Sequence, residues 1–480
     1  MALKVYNDLS SLLEEFIPIN PQKVKMYVCG ITPYDETHLG HARAYVAFDV
    51  IRRYLEYIGY EVDYVQNFTD IDDKIIKKSE IQNPKSENKT IQEKCKEITE
   101  KHIDSYFDVM DQLNIKRATV YPKATEHIKE MVNWIRGLVK NGYAYIVDSD
   151  VYFEVSKFKG YGKLSKRRLK EMKSGARVGI DSRKKEPLDF VLWKGAKEGE
   201  PSWDSPWGKG RPGWHIECSV MSEKYLGEQF DIHGGGLDLI FPHHENEIAQ
   251  TEALTNKIPW VKYWLHNGFV NINSQKMSKS LGNFFSMKDI LAKYPAMVIR
   301  LFLLMTHYHS PINFSNEQLD ETKAAYDRII KTVQDIDFLI EKVGEPENDV
   351  ERKVTEDELA VFNDKFKSAM DDNFNTAAAI SVIFEFIHFI NEHIKNSKID
   401  YISLKKYKAL LFELCGILGL LLVNEKTQEI DAEDIEKLIS ERDQARKIKE
   451  FALADEIRKM LLARGIILED TAYGTKWRKV

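Results

Sequence analysis

Two histidines flank a glycine early in the chain, in the tetrapeptide His38-Leu39-Gly40-His41. A helix N-terminus presents unpaired N–H groups and a partial positive charge, so it binds phosphate well. The glycine lets a ligand approach the backbone closely, and the two imidazoles can donate hydrogen bonds to phosphate oxygens. The tetrapeptide therefore predicts a phosphate site at the start of a helix, with a helix cap or a surface position as the plainer alternative.

A second candidate is the basic loop Lys276-Met277-Ser278-Lys279-Ser280. Two lysines on a loop can follow the negative charge that builds on a leaving pyrophosphate, so they stabilise the transition state more than the ground state. A solvated basic turn is the alternative for this loop taken alone. Because the histidine tetrapeptide precedes it in the same chain, the catalytic interpretation is favoured.

The histidine tetrapeptide lies between two segments with strand character. Residues 24–29 form a short apolar run, and residues 61–68 alternate like a strand. Between them, residues 30–37 read as a loop, and from His38 apolar residues recur at helical spacing until Gly59 ends the helix. The order strand, loop, helix, strand predicts a βαβ unit with parallel strands.

The middle of the chain is less regular. Residues 164–185 are rich in Lys and Arg, and residues 192–213 hold Gly, Pro and Trp without a clear period. Residues 230–233 have strand character, which we expect Gly234-Gly235-Gly236 to break. A helix is expected to begin after Pro242, since proline suits the first helical position.

Beyond about residue 316 the pattern becomes helical almost throughout. Thr355 and Glu358 form a capping box before an apolar face. Residues 376–395 predict a second apolar helix, and residues 432–463 predict two charged amphipathic helices, the second closed by Gly465. The fold class is therefore α/β: a Rossmann-like parallel-sheet domain with an insertion, followed by an all-α bundle and a small C-terminal module.

Composition bounds the class of protein. The chain has 480 residues, of which 43% are hydrophobic and 30% charged, and its net charge of -6 argues against a non-specific coat on polyanions. The four cysteines lie far apart in the sequence, and we expect no disulfide framework among Cys29, Cys95, Cys218 and Cys415. With no run of about 20 apolar residues and no secretory signal, we expect a cytosolic protein without a membrane partner.

The two signatures together resemble those of class I aminoacyl-tRNA synthetases. Within that class, the chain resembles cysteinyl-tRNA synthetases over nearly its whole length, with Leu39 where isoleucine is common. The resemblance implies that ATP activates the carboxylate of cysteine and that the cysteinyl group is then transferred to tRNA(Cys). The amino acid attacks the α-phosphorus directly, so position and electrostatics suffice.

The same resemblance implies a zinc ion. Cys29, Cys218, His243 and Glu247 match the family's zinc ligands, and His243 and Glu247 share one helix face at a spacing of four. Singly, each cysteine reads as a small buried hydrophobe. A Cys, Cys, His and Glu set suits zinc without excluding other soft metals.

His244 and Glu245 compete with the chosen pair, which the spacing and the resemblance favour. Zinc would bind the substrate as a thiolate, and a serine hydroxyl is a far poorer ligand, so selection needs no editing site. The resemblance implies that the cysteine pocket is formed by Cys29 and Gly30, at the end of the first predicted strand, together with Thr69 and Trp214.

The resemblance also implies an ATP site and an anticodon site. The catalytic residues are expected to be His38, His41, Lys276 and Lys279. The ATP residues are expected to be His38, His41, Lys279, Gly234, Gly235, Gly236 and Asp238, with Mg²⁺ accompanying the nucleotide. The anticodon residues are expected to be Arg446, Phe451, Asp470 and Trp477. Phe451 stands where some relatives have tryptophan, so its stacking should be weaker. A solvated helix face is the alternative for Arg446, and a packed tail anchor is the alternative for Trp477. The basic run 163–173 is either an acceptor-arm contact or a wet surface.

By this resemblance the chain divides into a catalytic first half at 1–125, a connective insertion at 126–205, a catalytic second half at 206–315, a helical bundle at 316–425 and an anticodon-binding module at 426–480. We expect a monomer. Two alternatives remain: a cysteine:amino-sugar ligase of the mycothiol pathway, and a non-catalytic RNA-binding paralogue. The anticodon module argues against the first, and the intact signatures argue against the second.

Overall fold

The computed structural model describes residues 2–82, 89–167, 182–272, 275–276, 285–345, 356–396, 400–422, 432–471 and 474–479. They form two compact units. The first unit comprises Met1–Lys323, Lys365–Ser381 and Ile417–Leu420, and the second comprises Ala324–Asp364, Val382–Gly416 and Leu421–Val480. The predicted five-part division of the chain stays a prediction.

The strands are β1 (Lys4–Asn7), β2 (Leu12–Glu15), β3 (Lys23–Ile31), β4 (Glu61–Phe68), β5 (Ala144–Val147), β6 (Asp150–Phe153), β7 (Phe190–Gly195), β8 (Gly210–Pro212), β9 (Phe230–Gly236), β10 (Val261–Asn267), β11 (Val270–Ile272), β12 (Gln275–Lys276), β13 (Ile312–Phe314), β14 (Ile466–Thr471) and β15 (Gly474–Lys479). The helices are α1 (Leu39–Tyr57), α2 (Asp73–Gln82), α3 (Ile91–Gln112), α4 (Ile128–Lys140), α5 (Trp214–Leu226), α6 (Glu245–Thr255), α7 (Met287–Leu291), α8 (Ala296–Leu304), α9 (Asn316–Val343), α10 (Glu356–Asp371), α11 (Thr376–Asn396), α12 (Tyr401–Ile417), α13 (Ala432–Lys447) and α14 (Phe451–Ala463).

A four-stranded parallel sheet in the order β10-β9-β3-β4 is the frame of the first unit. The predicted βαβ unit is confirmed: β3 and β4 pair in parallel and α1 connects them. Gly59 has a φ of 104°, a left-handed conformation that suits glycine and ends the helix region. All four strands bring their carboxyl ends to one edge, where ligands bind in open α/β sheets.

The glycine triplet does not break β9, so that expectation was wrong. The strand continues through Gly236, with Gly234 and Gly235 buried within it. A Cβ at Gly234 would lie 2.3 Å from the Phe48 ring, and one at Gly235 would lie 2.9 Å from His244. The glycines therefore permit close packing on both faces of an extended strand.

The segment between α4 and α5 forms a separate antiparallel sheet in the order β5-β6-β7-β8. Residues 192–213, which looked irregular from the sequence, contain β8 and most of β7. Trp193 on β7 is fully buried, which explains part of the tryptophan content of that stretch. A helical turn at Ile240–His244 follows β9 and leads into α6, in agreement with a helix start after Pro242.

The second unit contains most of the predicted C-terminal helices, and the all-helical interpretation fits α9 to α14. The β14–β15 hairpin was not predicted; it pairs antiparallel and packs on α13 and α14 through Ile435, Ile457, Leu461 and Leu468. Thr355 of the expected capping box lies outside the described residues. One described helical segment, Thr376–Lys395, is long and apolar enough to cross a membrane, a test that core helices of folded proteins also pass.

Candidate active site and metal centre

A cleft of about 350 Å³ opens at the carboxyl edge of the parallel sheet. It unites residues that lie far apart in the chain and that the sequence had singled out separately. From the predicted set it is lined by Cys29, Gly30, His38, Gly40, His41, Trp214, Gly235, Gly236 and Asp238. The nucleotide, metal and amino-acid predictions therefore converge on one space in the first unit.

His38 is both the cap of α1 and part of the cleft. Its Nδ1 accepts the backbone N–H groups of Gly40 at 3.1 Å and His41 at 3.3 Å. A neutral ring whose Nδ1 accepts carries its proton on Nε2. The two imidazole rings stack with centroids 3.6 Å apart. Capping and ligand binding are thus compatible roles for His38.

Glycines let the backbone come close to other groups at the strand ends. A Cβ at Gly30 would lie 1.5 Å from the Asn67 carbonyl oxygen, so no other residue fits there. Asp238 lines the cleft from the turn Leu237–Leu239, which follows directly from β9. Gly234 is not a lining residue, because its position is packed against Phe48.

The four predicted metal ligands form one buried cluster. Their ligand atoms, from Cys29, Cys218, His243 and Glu247, all lie within 4.8 Å of one another. The two sulfurs are 3.7 Å apart, and Nε2 of His243 is 2.9 Å from Oε1 of Glu247. Two thiols, an imidazole and a carboxylate at this spacing fit a tetrahedral cation such as Zn²⁺.

A second, overlapping set also has metal-ligand spacing: Cys29, His233, His244 and Glu247. Nε2 of His244 lies 3.2 Å from the Cys29 sulfur, and its Nδ1 lies 2.8 Å from Nε2 of His266. His266 in turn lies 2.7 Å from the carboxylate of Asp8. A hydrogen-bonded row therefore backs one thiol of the cluster.

Glu245 has a different task. Its buried carboxylate accepts the backbone N–H groups of Gly162 at 2.8 Å, Leu164 at 3.1 Å and Ser165 at 2.7 Å. The carboxylate is thereby committed to holding this segment of the chain, and the cluster uses Glu247.

The ionisable groups of the cluster have pKa values that are shifted in opposite directions. The hydrogen bond from Cys29 lowers the pKa of the Cys218 thiol to about 6, whereas burial raises the pKa of Cys29 well above its usual range. Burial by itself would raise the pKa of the Glu247 carboxyl group, but the charges of His233 and His243 lower it to about 2. Burial by itself would lower the pKa of His243, but the charge of Glu247 raises it to about 10. To serve as metal ligands, His243 would have to be neutral and the cysteines would have to be thiolates.

Of the remaining pocket residues, Trp214 lies at the cleft and Thr69 does not. Trp214 is 41% exposed and stacks on the His243 ring at 4.2 Å. Thr69 is buried and donates to the Glu217 carboxyl group at 2.8 Å. Burial raises the pKa of Glu217 well above its usual range.

The lysine loop is only partly described. Lys276 lies in β12, whose backbone pairs with Asn271 of β11, and Lys279 lies outside the described residues. Val270, at the start of β11, lines the cleft, so this strand connects the loop to the site. In the basic run, Lys166 donates to the Leu9 carbonyl and Arg167 lies over the Phe241 ring, while residues 168–173 are not described.

The four candidate anticodon residues lie in the second unit. Arg446, 46% exposed, donates to Asp470 at 2.8 Å. Phe451 is 60% exposed at the start of α14. The Trp477 indole donates to Glu436 at 3.0 Å and packs on the α13–α14 core, which fits the packed alternative.

Sequence reasoning missed the groups that surround the metal cluster and the one that anchors Asp470. His233, His266 and Asp8 had no local motif, and Arg442 of α13 looked like one charge among many. For His266 a signal existed, because it lies at the end of an apolar strand where polar residues mark the ligand edge.

Comparison with known proteins agrees with this geometry. Residues 15–324 match the family of tRNA synthetases class I (C) catalytic domains, and residues 365–422 match the DALR domain. The chain is 50% identical to a cysteine–tRNA ligase of Clostridioides difficile over 480 residues, all of both chains.

Solved structures share the fold at low identity. A methionyl-tRNA synthetase of Mycobacterium tuberculosis with methionyl-adenylate superposes with a TM-score of 0.59, at 14% identity over 83% of this chain and 89% of its own. A LeuRS of Agrobacterium radiobacter in complex with tRNA and LeuAMS gives a TM-score of 0.58, at 12% identity over 84% and 85%.

A parallel sheet with the histidine tetrapeptide at its carboxyl edge, followed by a DALR segment, defines a class I aminoacyl-tRNA synthetase. Proteins of this class use ATP, an amino acid and tRNA. The full-length identity narrows the class: the chain belongs to the cysteine–tRNA ligase family.

Proposed function

We propose that this chain activates L-cysteine with ATP to cysteinyl-adenylate and transfers the cysteinyl group to the 3′ end of tRNA(Cys). The observation that carries the proposal is a buried cluster beside the cleft that His38 and His41 line. The cluster consists of Cys29, Cys218, His243 and Glu247. Such a cluster supplies what an apolar pocket lacks, namely a way to tell a thiol from a hydroxyl.

The ligand set favours Zn²⁺. Bound there, Zn²⁺ would supply a soft Lewis acid that holds a thiolate and disfavours serine. The protein's own part is to place the amino acid: Trp214 stacks on the His243 ring at the cleft, and Gly30 lets the end of β3 pack closely against the Asn67 carbonyl.

The residues of the cleft serve the adenylation step. The cysteine carboxylate oxygen forms a bond to the α-phosphorus of ATP while the bond from that phosphorus to the bridging oxygen breaks, and pyrophosphate leaves. Nε2–H of His38 and the N-terminus of α1 stabilise the negative charge on the phosphate oxygens. Lys276 and Lys279 are assigned to the leaving pyrophosphate, and Mg²⁺ accompanies the nucleotide.

The second step joins the amino acid to RNA. The terminal ribose hydroxyl of the tRNA attacks the carbonyl carbon of the adenylate, and AMP leaves. The second unit supplies recognition, with Arg446, Phe451, Asp470 and Trp477 as the candidate contacts to unpaired anticodon bases.

A two-part assay tests the proposal. Cysteine-dependent exchange of pyrophosphate into ATP measures the first step, and charging of tRNA(Cys) measures the second. We expect both, with serine at least about 1,000-fold poorer in exchange because it lacks a group the site is built to bind. Exchange without charging, together with transfer to an amino-sugar, would identify a cysteine:amine ligase. No exchange at all would identify a non-catalytic protein.

A further inference from the structure

The sulfurs of Cys29 and Cys218 are neighbours, although the two residues lie far apart in the chain. Cys29 lies near the end of β3 and Cys218 lies in α5, and their Sγ atoms are 3.7 Å apart. Two sulfurs that each bind one tetrahedral Zn²⁺ at about 2.3 Å stand roughly this far apart. A disulfide needs about 2.0 Å between the sulfurs, an approach within the reach of side-chain rotation. The pair therefore has the spacing to hold a metal ion or, in its place, to form a covalent bond.

The other two cysteines have no such neighbour among the described residues. Cys95 lies 3.5 Å from the Ser79 hydroxyl, and Cys415 is fully buried in α12 of the second unit. Neither has another sulfur within hydrogen-bond distance in the part of the chain that the structure describes. A cross-link within this chain therefore has one candidate pair.

The two thiols of the pair differ in their access to solvent. Cys29 lines the cleft and is 7% exposed, whereas Cys218 is 2% exposed and is not among the residues that line the cleft. A small oxidant such as hydrogen peroxide can therefore reach Cys29 from the cleft. Redox-sensing cysteines share this arrangement, in which an accessible thiol reacts first and a neighbouring thiol resolves the product.

The oxidation balances with one hydrogen peroxide molecule. The Cys29 sulfur attacks one peroxide oxygen, the O–O bond breaks, and the thiol proton leaves with the other oxygen as water. Cys29 is then a sulfenic acid. The Cys218 sulfur attacks the sulfur of Cys29, the S–O bond breaks, and the hydroxyl group leaves with the Cys218 proton as a second water. The two thiols lose two electrons and the peroxide gains them.

We propose that Cys29 and Cys218 form a reversible disulfide when peroxide meets the metal-free cluster, and that this bond turns the site off. The bond removes two of the four ligands and leaves His243 and Glu247, which are too few to hold Zn²⁺ firmly. Thiol–disulfide exchange with a reductant restores the ligands. The effect on catalysis rests on the proposed function, whereas the disulfide rests on the cluster alone.

A bound metal ion should protect the pair. It keeps the sulfurs at the separation of two tetrahedral ligands, and it engages the electron pairs that would attack the peroxide. The site therefore responds to two signals together, the loss of metal and the presence of peroxide.

The test treats the full-length protein with hydrogen peroxide, once after chelation of its metal and once after loading with Zn²⁺. In the chelated protein we expect a mass loss of about 2 Da and a proteolytic peptide pair that joins Cys29 to Cys218. Uptake of added Zn²⁺ should fall by about tenfold or more and return after treatment with dithiothreitol. The Zn²⁺-loaded protein should form the disulfide at least about tenfold more slowly.

Cys218→Ser and Cys95→Ser are the matched variants. In Cys218→Ser the sulfenic acid of Cys29 has no partner, so the mass should rise by added oxygen and no cross-link should form. Cys95→Ser should form the disulfide at the wild-type rate, since Cys95 is not one of the pair. If either variant is unfolded by circular dichroism, the peptide map of the wild type replaces it, with Cys95 and Cys415 expected to stay as thiols.

Four free thiols in the chelated protein after peroxide treatment overturn the proposal, and so does oxidation without the Cys29–Cys218 cross-link. A disulfide that forms equally fast with Zn²⁺ bound, or that leaves Zn²⁺ uptake unchanged, overturns it as well. The proposed function fails on a different result, the absence of cysteine-dependent pyrophosphate exchange by the reduced, Zn²⁺-loaded protein. The disulfide and the loss of metal uptake are then still decided by mass and metal content.

Discussion

At the scale of single residues, the thiol of Cys218 carries the most specific assignment. Replacing Cys218 by Ser removes the sulfur with the lowered pKa and leaves a hydroxyl that binds zinc poorly. We expect the bound metal and the cysteine-dependent pyrophosphate exchange to fall together, exchange by about 100-fold or more. Elemental analysis of the purified variant and the exchange assay measure the two effects.

Cys95→Ser is the matched control for that experiment. Cys95 is equally buried but lies 3.5 Å from Ser79 and outside the described cleft, so metal content and exchange should stay near the wild-type values. Full activation by metal-free Cys218→Ser would show that the cluster does not select the substrate.

Glu245 and Glu247 are buried carboxylates two residues apart with different roles: Glu245 holds a segment of backbone, and Glu247 belongs to the metal-ligand cluster. Glu247→Gln should lose the metal, because it removes the charged ligand of the cluster. Glu245→Gln should keep the metal but lower the melting temperature, since a neutral amide has one acceptor oxygen for three backbone N–H groups, a loss of about 1–3 kcal/mol. Metal loss in the Glu245 variant would reverse the two roles.

At the scale of secondary-structure elements, close packing at β9 sets the shape of the nucleotide edge. Gly234→Ala should destabilise the protein by about 1–3 kcal/mol, because the new Cβ meets the Phe48 ring of α1. Gly416→Ala, on α12, meets nothing within 4 Å and should stabilise by about 0.5–1 kcal/mol. Urea unfolding of both variants measures the pair, and equal effects would contradict this account of the strand.

The elements that the sequence revealed are those whose pattern is local. The α1 helix and its flanking strands show helical and alternating spacing in a stretch of 45 residues, from Val24 to Phe68. The glycines of β9 are needed because Phe48 and His244 pack against them. These two residues lie outside the strand in the sequence, so the local pattern does not predict that the strand continues. The metal ligands could be matched to a family, but their convergence depends on parallel pairing of distant strands, which spacing does not encode.

The β14–β15 hairpin is the clearest miss at this scale. In its six-residue strands Glu469 stands opposite Lys476 on one face, and Leu468 stands opposite Trp477 on the other, next to the charged Asp470. Short, half-charged strands after two amphipathic helices read like a polar tail. The hairpin forms because Leu468 and Ile466 complete the core of α13 and α14, a tertiary contact that overrides the local pattern.

At the scale of the whole molecule, the first unit is discontinuous in the chain. Asn373 accepts from the Tyr6 backbone at 2.8 Å and from the Tyr308 hydroxyl at 3.0 Å. The carbonyl of Leu418 accepts from the fully buried Arg300 at 2.8 Å. Segments that follow the catalytic sequence by many residues are therefore part of the unit that holds the cleft.

This discontinuity predicts that two truncations behave differently. A chain of residues 1–344 lacks Asn373 and leaves the Arg300 guanidinium buried with a lost acceptor, which costs several kcal/mol in total. It should fail to fold and show no pyrophosphate exchange. A chain of residues 1–422 keeps these contacts but loses α13, α14 and the β14–β15 hairpin. We expect it to exchange pyrophosphate within about threefold of the full chain while its charging of tRNA(Cys) falls by about 100-fold or more, because the candidate anticodon contacts are gone. Thermal unfolding and the two assays decide the matter: exchange by the shorter chain would show that the late segments are dispensable for the catalytic unit.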